Sequence, residues 1–72
     1  MLEEKLKRME HRHGFVKFIN NKTVFCKICY VGDGMVVLKT RNKMKFRCNE
    51  IVNIRLVDEE DVHTTLQELG VV

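Results

Sequence analysis

Two cysteines spaced as C-x-x-C are the residues of this chain whose types and spacing most readily suggest chemistry. Cys26 and Cys29 lie in the stretch FCKICY, residues 25–30, and such a pair is the usual opening of a zinc site. A tetrahedral site would also require Cys48 and a histidine, because the second C-x-x-C pair of a zinc ribbon is absent from the sequence. Zinc binding is therefore the least favoured function for this chain.

The residues around the two cysteines favour a β-strand instead. The flanking side chains are bulky or β-branched, and the stretch lacks the turn former that metal loops usually contain. In a strand, side chains three positions apart point to opposite faces, so Cys26 and Cys29 could not bind the same ion. We expect Cys26 and Cys48 to be small core residues, and we expect no metal or cofactor.

The histidines do not suggest a catalytic site either. His11, His13 and His63 have no recognisable spacing to a cysteine, and no oxyanion-type glycine motif or phosphate-binding loop accompanies them. We interpret His11 and His13 as cations at the end of a helix and His63 as a surface residue. We therefore expect a protein that is not an enzyme.

Length and composition indicate one small domain. The 72 residues are 44% hydrophobic and 32% charged, which is typical of a globular chain with a marginal core. The three cysteines are an odd number, and the first ten residues mix both charge signs without the apolar region of a secretory signal. We expect reduced thiols and a cytoplasmic location. No apolar run is long enough to span a membrane, so we expect no membrane association.

Charge is distributed unevenly along the chain. Residues 1–49 hold twelve Lys or Arg against four Asp or Glu, a net charge of +8. Residues 50–72 hold one Arg against six Asp or Glu, a net charge of −5. A basic body followed by an acidic tail predicts two surfaces of opposite charge, although solubility alone explains the same asymmetry.

Hydrophobic periodicity divides the chain into a helix, a run of strands and a second helix. Apolar residues recur with helical spacing over residues 2–13, and Gly14 supplies a C-terminal stop. The period then changes to two, and the turns NNK, GDG, RNK and NE separate five short strands. The pattern predicts a mainly-β fold, a small closed or nearly closed five-stranded barrel over residues 15–57. An N-terminal helix in residues 1–14 and a short C-terminal helix in an acidic tail, residues 58–72, flank it.

Alternation within the strands also assigns faces. In the second strand, one set of side chains is expected in the core: Val24, Cys26, Ile28 and Tyr30. Phe46 is expected there as well. The opposite face carries Phe25, Lys27 and Cys29. An exposed Phe25 could stack on a nucleic-acid base, but burial under a helix or in a subunit contact is the favoured interpretation.

The strand segments resemble the Sm-like family. The stretch FINNKTVFCKICYVGDGMVVLK is similar to that family's first three strands, and KFRCNEIVNIRL is similar to its last two. Its bacterial members are the Hfq RNA chaperones, so the resemblance implies a small SH3/Sm-like five-stranded barrel and RNA binding. The chain departs from the family at three places: Cys26 replaces the bending glycine, Gly32 the aspartate, and Arg47–Cys48–Asn49 the Tyr-Lys-His motif. The last departure removes the ring and the histidine that contact uridine.

A run of cations is the basis of the functional hypothesis. The stretch KTRNKMKFR, residues 39–47, places a basic residue at every second position and contains no acid. Strands gather such residues on one face, where neutralising phosphates gives salt-dependent binding that is largely blind to sequence. We predict a non-enzymatic nucleic-acid-binding module that prefers RNA and contacts it through Lys27, Lys39, Arg41, Lys43, Lys45, Arg47 and Asn49.

Other interpretations of the same surfaces stay open. Lysines on a strand face can simply be solvated and discourage pairing between sheet edges. The acidic tail or a strand edge could instead bind a protein partner, which would make the chain a small interaction or regulatory module. A core this small also gains from oligomerisation, so pairing of edge strands into a homo-oligomer is compatible with the sequence.

Overall fold

Five antiparallel strands form one sheet, with a short helix before it and a longer helix after it. The computed structural model describes residues 1–70; Val71 and Val72, the end of the predicted tail, lie outside the described residues. The elements are α1 Glu3–Lys7, β1 His13–Phe18, β2 Thr23–Gly32, β3 Met35–Lys39, β4 Lys43–Arg47, a 3-10 helix Cys48–Glu50, β5 Ile51–Val57 and α2 Glu59–Glu68. The strands lie in the order β4-β3-β2-β1-β5. The mainly-β class and the two flanking helices are confirmed.

Alternating apolar residues give the sheet one buried face, which we term the inner face. Its side chains pack into a single core together with Leu6 from α1 and Cys48 from the 3-10 helix. The remaining core residues are Val16, Phe18, Cys26, Ile28, Val31, Val36, Leu38, Ile51 and Ile54. The prediction that Cys26 and Cys48 are core residues is confirmed.

The tight turns between strands follow their sequence signals. Gly32 pairs with Met35, so Asp33 and Gly34 form a two-residue loop, and their φ angles are 55° and 73°. Two consecutive positive φ angles define the type I′ turn, whose twist matches that of the flanking strands. Asn21, in the turn between β1 and β2, also has a positive φ, 68°.

The N-terminal helix is much shorter than the predicted segment 1–14. α1 ends at Lys7, and His13 already belongs to β1. The reason is strand pairing: the His11 N–H donates to the Ile28 carbonyl at 2.6 Å, and the Ile28 N–H donates to the Arg12 carbonyl at 2.8 Å. These tertiary hydrogen bonds override the weak helical preference of the segment. The interpretation of His11 and His13 as helix-end cations is therefore wrong.

Gly14 has a packing role rather than that of a helix stop. It lies inside β1, buried against β5, and a Cβ at this position would come within 2.8 Å of the Arg55 carbonyl oxygen. Only glycine allows the two backbones to approach so closely at this point.

α1 is fastened to the end of β2 by apolar and polar contacts. Leu6 is fully buried in the core. The Glu10 carboxylate accepts a hydrogen bond from the Val31 N–H at 2.8 Å and one from the Lys7 ammonium at 3.0 Å. The Val31 N–H and the Lys7 ammonium hold the pKa of Glu10 below its ordinary value, because both favour the charged carboxylate.

The strand pairing leaves the sheet open. Within residues 1–70, β4 and β5 form the two edges and do not pair with each other. Register shifts interrupt the β1–β5 and β2–β3 ladders, and such bulges bend a strand and increase its twist. Closure of the sheet into a barrel stays a prediction.

Neither helix within residues 1–70 is both long enough and apolar enough to cross a membrane.

Candidate nucleic-acid interface

Strand register aligns three lysines across three neighbouring strands. Lys27 of β2 pairs with Lys39 of β3, and Lys39 pairs in turn with Lys43 of β4. Directly paired residues share a face, and neighbouring strands lie about 4.8 Å apart, so the three α-carbons fall within about 10 Å of one another. We refer to Lys27, Lys39 and Lys43 as the lysine row.

Two more cations continue this surface along β4. Lys45 pairs with Val37, and Arg47 pairs with Met35, so both project from the same side as Lys43. Alternate residues on a strand are about 6.7 Å apart, which spaces the charges evenly along the edge of the sheet. The lysine row together with Lys45 and Arg47 is the outer basic face.

The remaining two predicted contact residues lie at the ends of β4. Arg41 is in the turn between β3 and β4, and Asn49 is in the 3-10 helix that follows Arg47. Both are exposed. Fold and register therefore gather five of the seven predicted residues on one face and leave Arg41 and Asn49 beside it.

The outer basic face has no acidic partner in the part of the chain that the structure describes. The ion pairs of residues 1–70 join Lys7 to Glu10, Arg12 to Asp58 and His13 to Glu59. Like charges directly opposite each other on paired strands destabilise a sheet. An anionic ligand would remove that repulsion.

An aromatic cluster adjoins the lysine row on the same face of the sheet. His13 pairs with Lys27 and its ring stacks on Phe25 with centroids 5.9 Å apart. Phe15 packs against Phe25 at 5.0 Å, and the guanidinium of Arg55 lies 4.8 Å from the Phe15 centroid. The rings of His13, Phe15 and Phe25 thus already have intramolecular partners, and the proposal that Phe25 could stack on a base gains no support from this packing.

Sequence reasoning missed His13 and Arg55 as part of this surface. The helical interpretation of residues 1–14 removed His13 from the sheet, and Arg55 lies far from the basic stretch in sequence. The sequence signal for Arg55 was the two-residue period of IVNIRLV, which places Arg55 on one face of the strand and Ile54 and Leu56 on the other.

Tyr30 lies on the outer face, so its predicted place in the core is wrong. The register shift between Ile28 and Tyr30 inserts Cys29 as an extra residue, which turns Tyr30 outward to pair with Val37. Tyr30 is 51% exposed, and the Lys7 ammonium lies 5.2 Å from its ring centroid. Phe46, by contrast, packs against Phe18 at 4.8 Å as alternation indicates.

The three thiols are free and lie in different environments. Burial raises the pKa of the Cys26 thiol to about 12 and also raises the pKa of Cys48. Cys29 is half-buried at the bulge, with its Sγ 3.9 Å from the Lys27 carbonyl oxygen. Within residues 1–70, the one group of three side chains that could meet at a metal ion is exposed and wholly acidic: Asp58, Glu60 and Asp61.

A cleft of about 350 Å³ separates α2 from the outer face. One wall is formed by Phe15, Arg55 and the end of β5, and the other by one side of α2. The α2 side carries Asp61, Thr65 and Glu68, at i, i+4 and i+7, so these three share a helix face.

A second, more apolar groove of about 260 Å³ lies where β4 passes the turn between β1 and β2. Its lining includes Phe18, Val24 and Phe46, together with two exposed apolar residues, Ile19 and Met44. It lies away from the lysine row and holds only Lys22 and Glu50 as charged residues.

No protein-family model, no curated protein and no solved structure matches this chain.

Proposed function

We propose that this protein is a non-enzymatic nucleic-acid-binding module that holds the phosphates of RNA on the outer basic face. The observation that carries the proposal is the lysine row, in which three cations stand side by side on paired strands with no acid among them. Each lysine that neutralises a phosphate releases a counterion, and this release favours binding.

The chemistry of the surface supports recognition of the backbone rather than of bases. Stacking on a base requires a free ring face, whereas Arg55 covers Phe15 and His13 covers Phe25. Four of the five cations on the outer basic face are lysines, which bind phosphate as compact point charges. We therefore expect affinity that depends steeply on salt and weakly on sequence.

We also propose that the sheet curls into an SH3/Sm-like barrel, which would agree with the resemblance to the Sm-like family. Support comes from the pairing of β1 with both β2 and β5, which makes the first and last strands neighbours. The bulges at Lys17/Phe18 and Ile28/Tyr30 favour strong bending. The two free edges, β4 and β5, are where strands of a second copy could pair in a homo-oligomer.

Fluorescence anisotropy with a labelled oligouridylate of about 16 nucleotides tests the function. The test variant is Lys39→Gln/Lys43→Gln. The matched control is Lys5→Gln/Lys22→Gln, which removes the same charge from residues off the outer basic face. For single strands the slope of log K against log salt is about −0.7 per phosphate contact, so the test variant should flatten it by about 1.4.

The control should keep the wild-type slope, because its lysines contact no phosphate in this arrangement. Equal slopes for both variants, or affinity that does not change with salt, contradict the proposed contact surface. Absence of binding at low salt contradicts nucleic-acid binding altogether.

The second candidate is a protein-interaction module that uses the acidic tail. The observation that favours it is the exposure of α2, in which no residue is fully buried. Titration with an oligolysine peptide while amide chemical shifts are recorded tests this candidate. Saturable shifts confined to α2 are expected, and their absence contradicts it.

A further inference from the structure

α2 is attached to the rest of the protein by few contacts. None of its residues is fully buried, and only Val62, Thr65 and Leu66, which share one side of the helix, are half-buried. At the start of the helix, Asp58 lies 3.8 Å from the Arg12 guanidinium, and Glu59 lies 3.6 Å from His13 Nδ1. His13 Nδ1 has no hydrogen-bond partner, because the Glu59 carboxylate lies too far from it to form a hydrogen bond. Contacts of 3.6–3.8 Å to exposed carboxylates hold a helix weakly.

The attachment point lies directly beside the lysine row. His13 pairs with Lys27 on the neighbouring strand, so the carboxylate of Glu59 reaches His13 about one strand spacing from the end of the row. Farther along α2, Asp61 and Glu68 face Arg55 and Phe15 across the cleft. The helix therefore presents carboxylates to His13 on β1 and Arg55 on β5, two side chains that adjoin the outer basic face.

The charge of α2 is that of a competitor for this surface. Residues 58–70 contain five acids and no Lys or Arg. A phosphate chain that follows the lysine row toward β1 meets Glu59 at His13 and Asp61 and Glu68 at Arg55. The helix carboxylates repel the incoming phosphates and lie beside the two side chains, His13 and Arg55, that the phosphates would approach.

We propose that α2 is an intramolecular anionic competitor that covers His13 and Arg55, beside the outer basic face. An anionic nucleic acid displaces α2, and because the helix is loosely attached, its displacement costs little free energy. This inference rests on the proposed function, because it describes the regulation of the same surface. Displacement opens the cleft and adds the two residues to the phosphate-binding path.

A comparison of two charge-matched variants of the full chain tests the inference. Glu59→Gln/Glu68→Gln removes one carboxylate at His13 and one that lines the cleft. Glu4→Gln/Glu60→Gln makes the same chemical change, and also removes one acid from the first turn of α2, but neither residue contacts the outer face. Affinity for the labelled oligouridylate is measured at low salt, and amide shifts of α2 are recorded with and without saturating RNA.

We expect Glu59→Gln/Glu68→Gln to bind the RNA about two- to tenfold more tightly than the control variant, because it removes the carboxylate beside His13 and one carboxylate that lines the cleft. We also expect RNA to shift the wild-type α2 amides. Equal affinity of the two variants, or α2 amides that RNA leaves unchanged, overturns the inference while RNA binding itself stands. If wild type and both variants fail to bind, the proposed function is wrong and the competitor role falls with it.

Discussion

Replacing Lys39 should stabilise the free protein even though it should weaken the proposed binding of nucleic acid. Lys39 is the middle member of the lysine row and pairs with Lys27 on one side and Lys43 on the other. The paired Cβ atoms lie about 5 Å apart, and splaying of the long side chains separates the ammonium groups to about 7 Å. Two charges at that distance in water repel by about 0.6 kcal/mol before screening.

Screening then sets the salt dependence of the effect. At about 0.01 M salt the Debye length is about 30 Å, and Lys39→Gln relieves about 0.9 kcal/mol from its two neighbours. At about 1 M salt the Debye length is about 3 Å, and the relief falls to about 0.1 kcal/mol. Lys43→Gln, at the end of the row, relieves one repulsion and should show about half the effect.

Urea unfolding followed by circular dichroism at the two salt concentrations measures these differences. Lys5→Gln is the control, because Lys5 is an exposed residue of α1 outside the row. Destabilisation by Lys39→Gln at low salt, or a change in stability that is the same at both salt concentrations, would refute the argument that the row is under electrostatic strain.

Two further predictions concern groups away from the outer face. Glu10 has a lowered pKa through the Val31 N–H and Lys7, so its stabilisation is present above the ordinary value of 4.5 and is lost as pH falls through the folded-state pKa. Unfolding curves across acid pH should show wild type losing more stability than Glu10→Gln, and parallel losses would contradict the assigned contacts. With iodoacetamide at pH 8, Cys29 should be alkylated well before Cys26, whose pKa burial raises to about 12. Peptide mass mapping reads the order, and equal rates would show that the core opens as readily as the bulge.

The fold was predictable where its signals are local. The GDG turn forms because two positive φ angles suit Asp33 and Gly34, and five alternating segments form the five strands. The C-terminal helix also follows its own periodicity. Each of these features depends on residues within about ten positions of one another, so propensity and pattern determine it.

The errors arise where distant residues decide the outcome. The helical pattern of residues 2–13 is locally sound, but His11 and Arg12 find backbone partners at Ile28 and extend the sheet. Tyr30 follows strict alternation in sequence, and only the pairing with β3 shows that Cys29 is bulged out. Neither effect has a local signature, because a bulge and an added strand pair are both properties of the partner strand.

The candidate site depends more on the β2 bulge at Cys29 than on the basic stretch of residues 39–47. A two-residue period makes Lys39, Lys43, Lys45 and Arg47 share a face in any hairpin of these residues. The two-residue period does not predict that β2 adds a lysine to this face. Lys27 pairs with Lys39 only because the β2–β3 register shifts by one residue at the bulge between Ile28 and Tyr30. Without that shift, the outward residues of β3 would face an inward position of β2 over half the ladder.

The β2–β3 register therefore determines both which cations share the outer face and which way Tyr30 points. The bulge that turns Tyr30 outward is also what lets Lys27 and Lys39 stand side by side, and His13, paired with Lys27 on the other side, brings the acidic helix to the end of the row. In the proposed arrangement, an anionic ligand and α2 compete for adjoining side chains on one continuous face. The opposed charges of the two parts of the sequence meet beside His13, where the Arg12 guanidinium lies 3.8 Å from the Asp58 carboxylate.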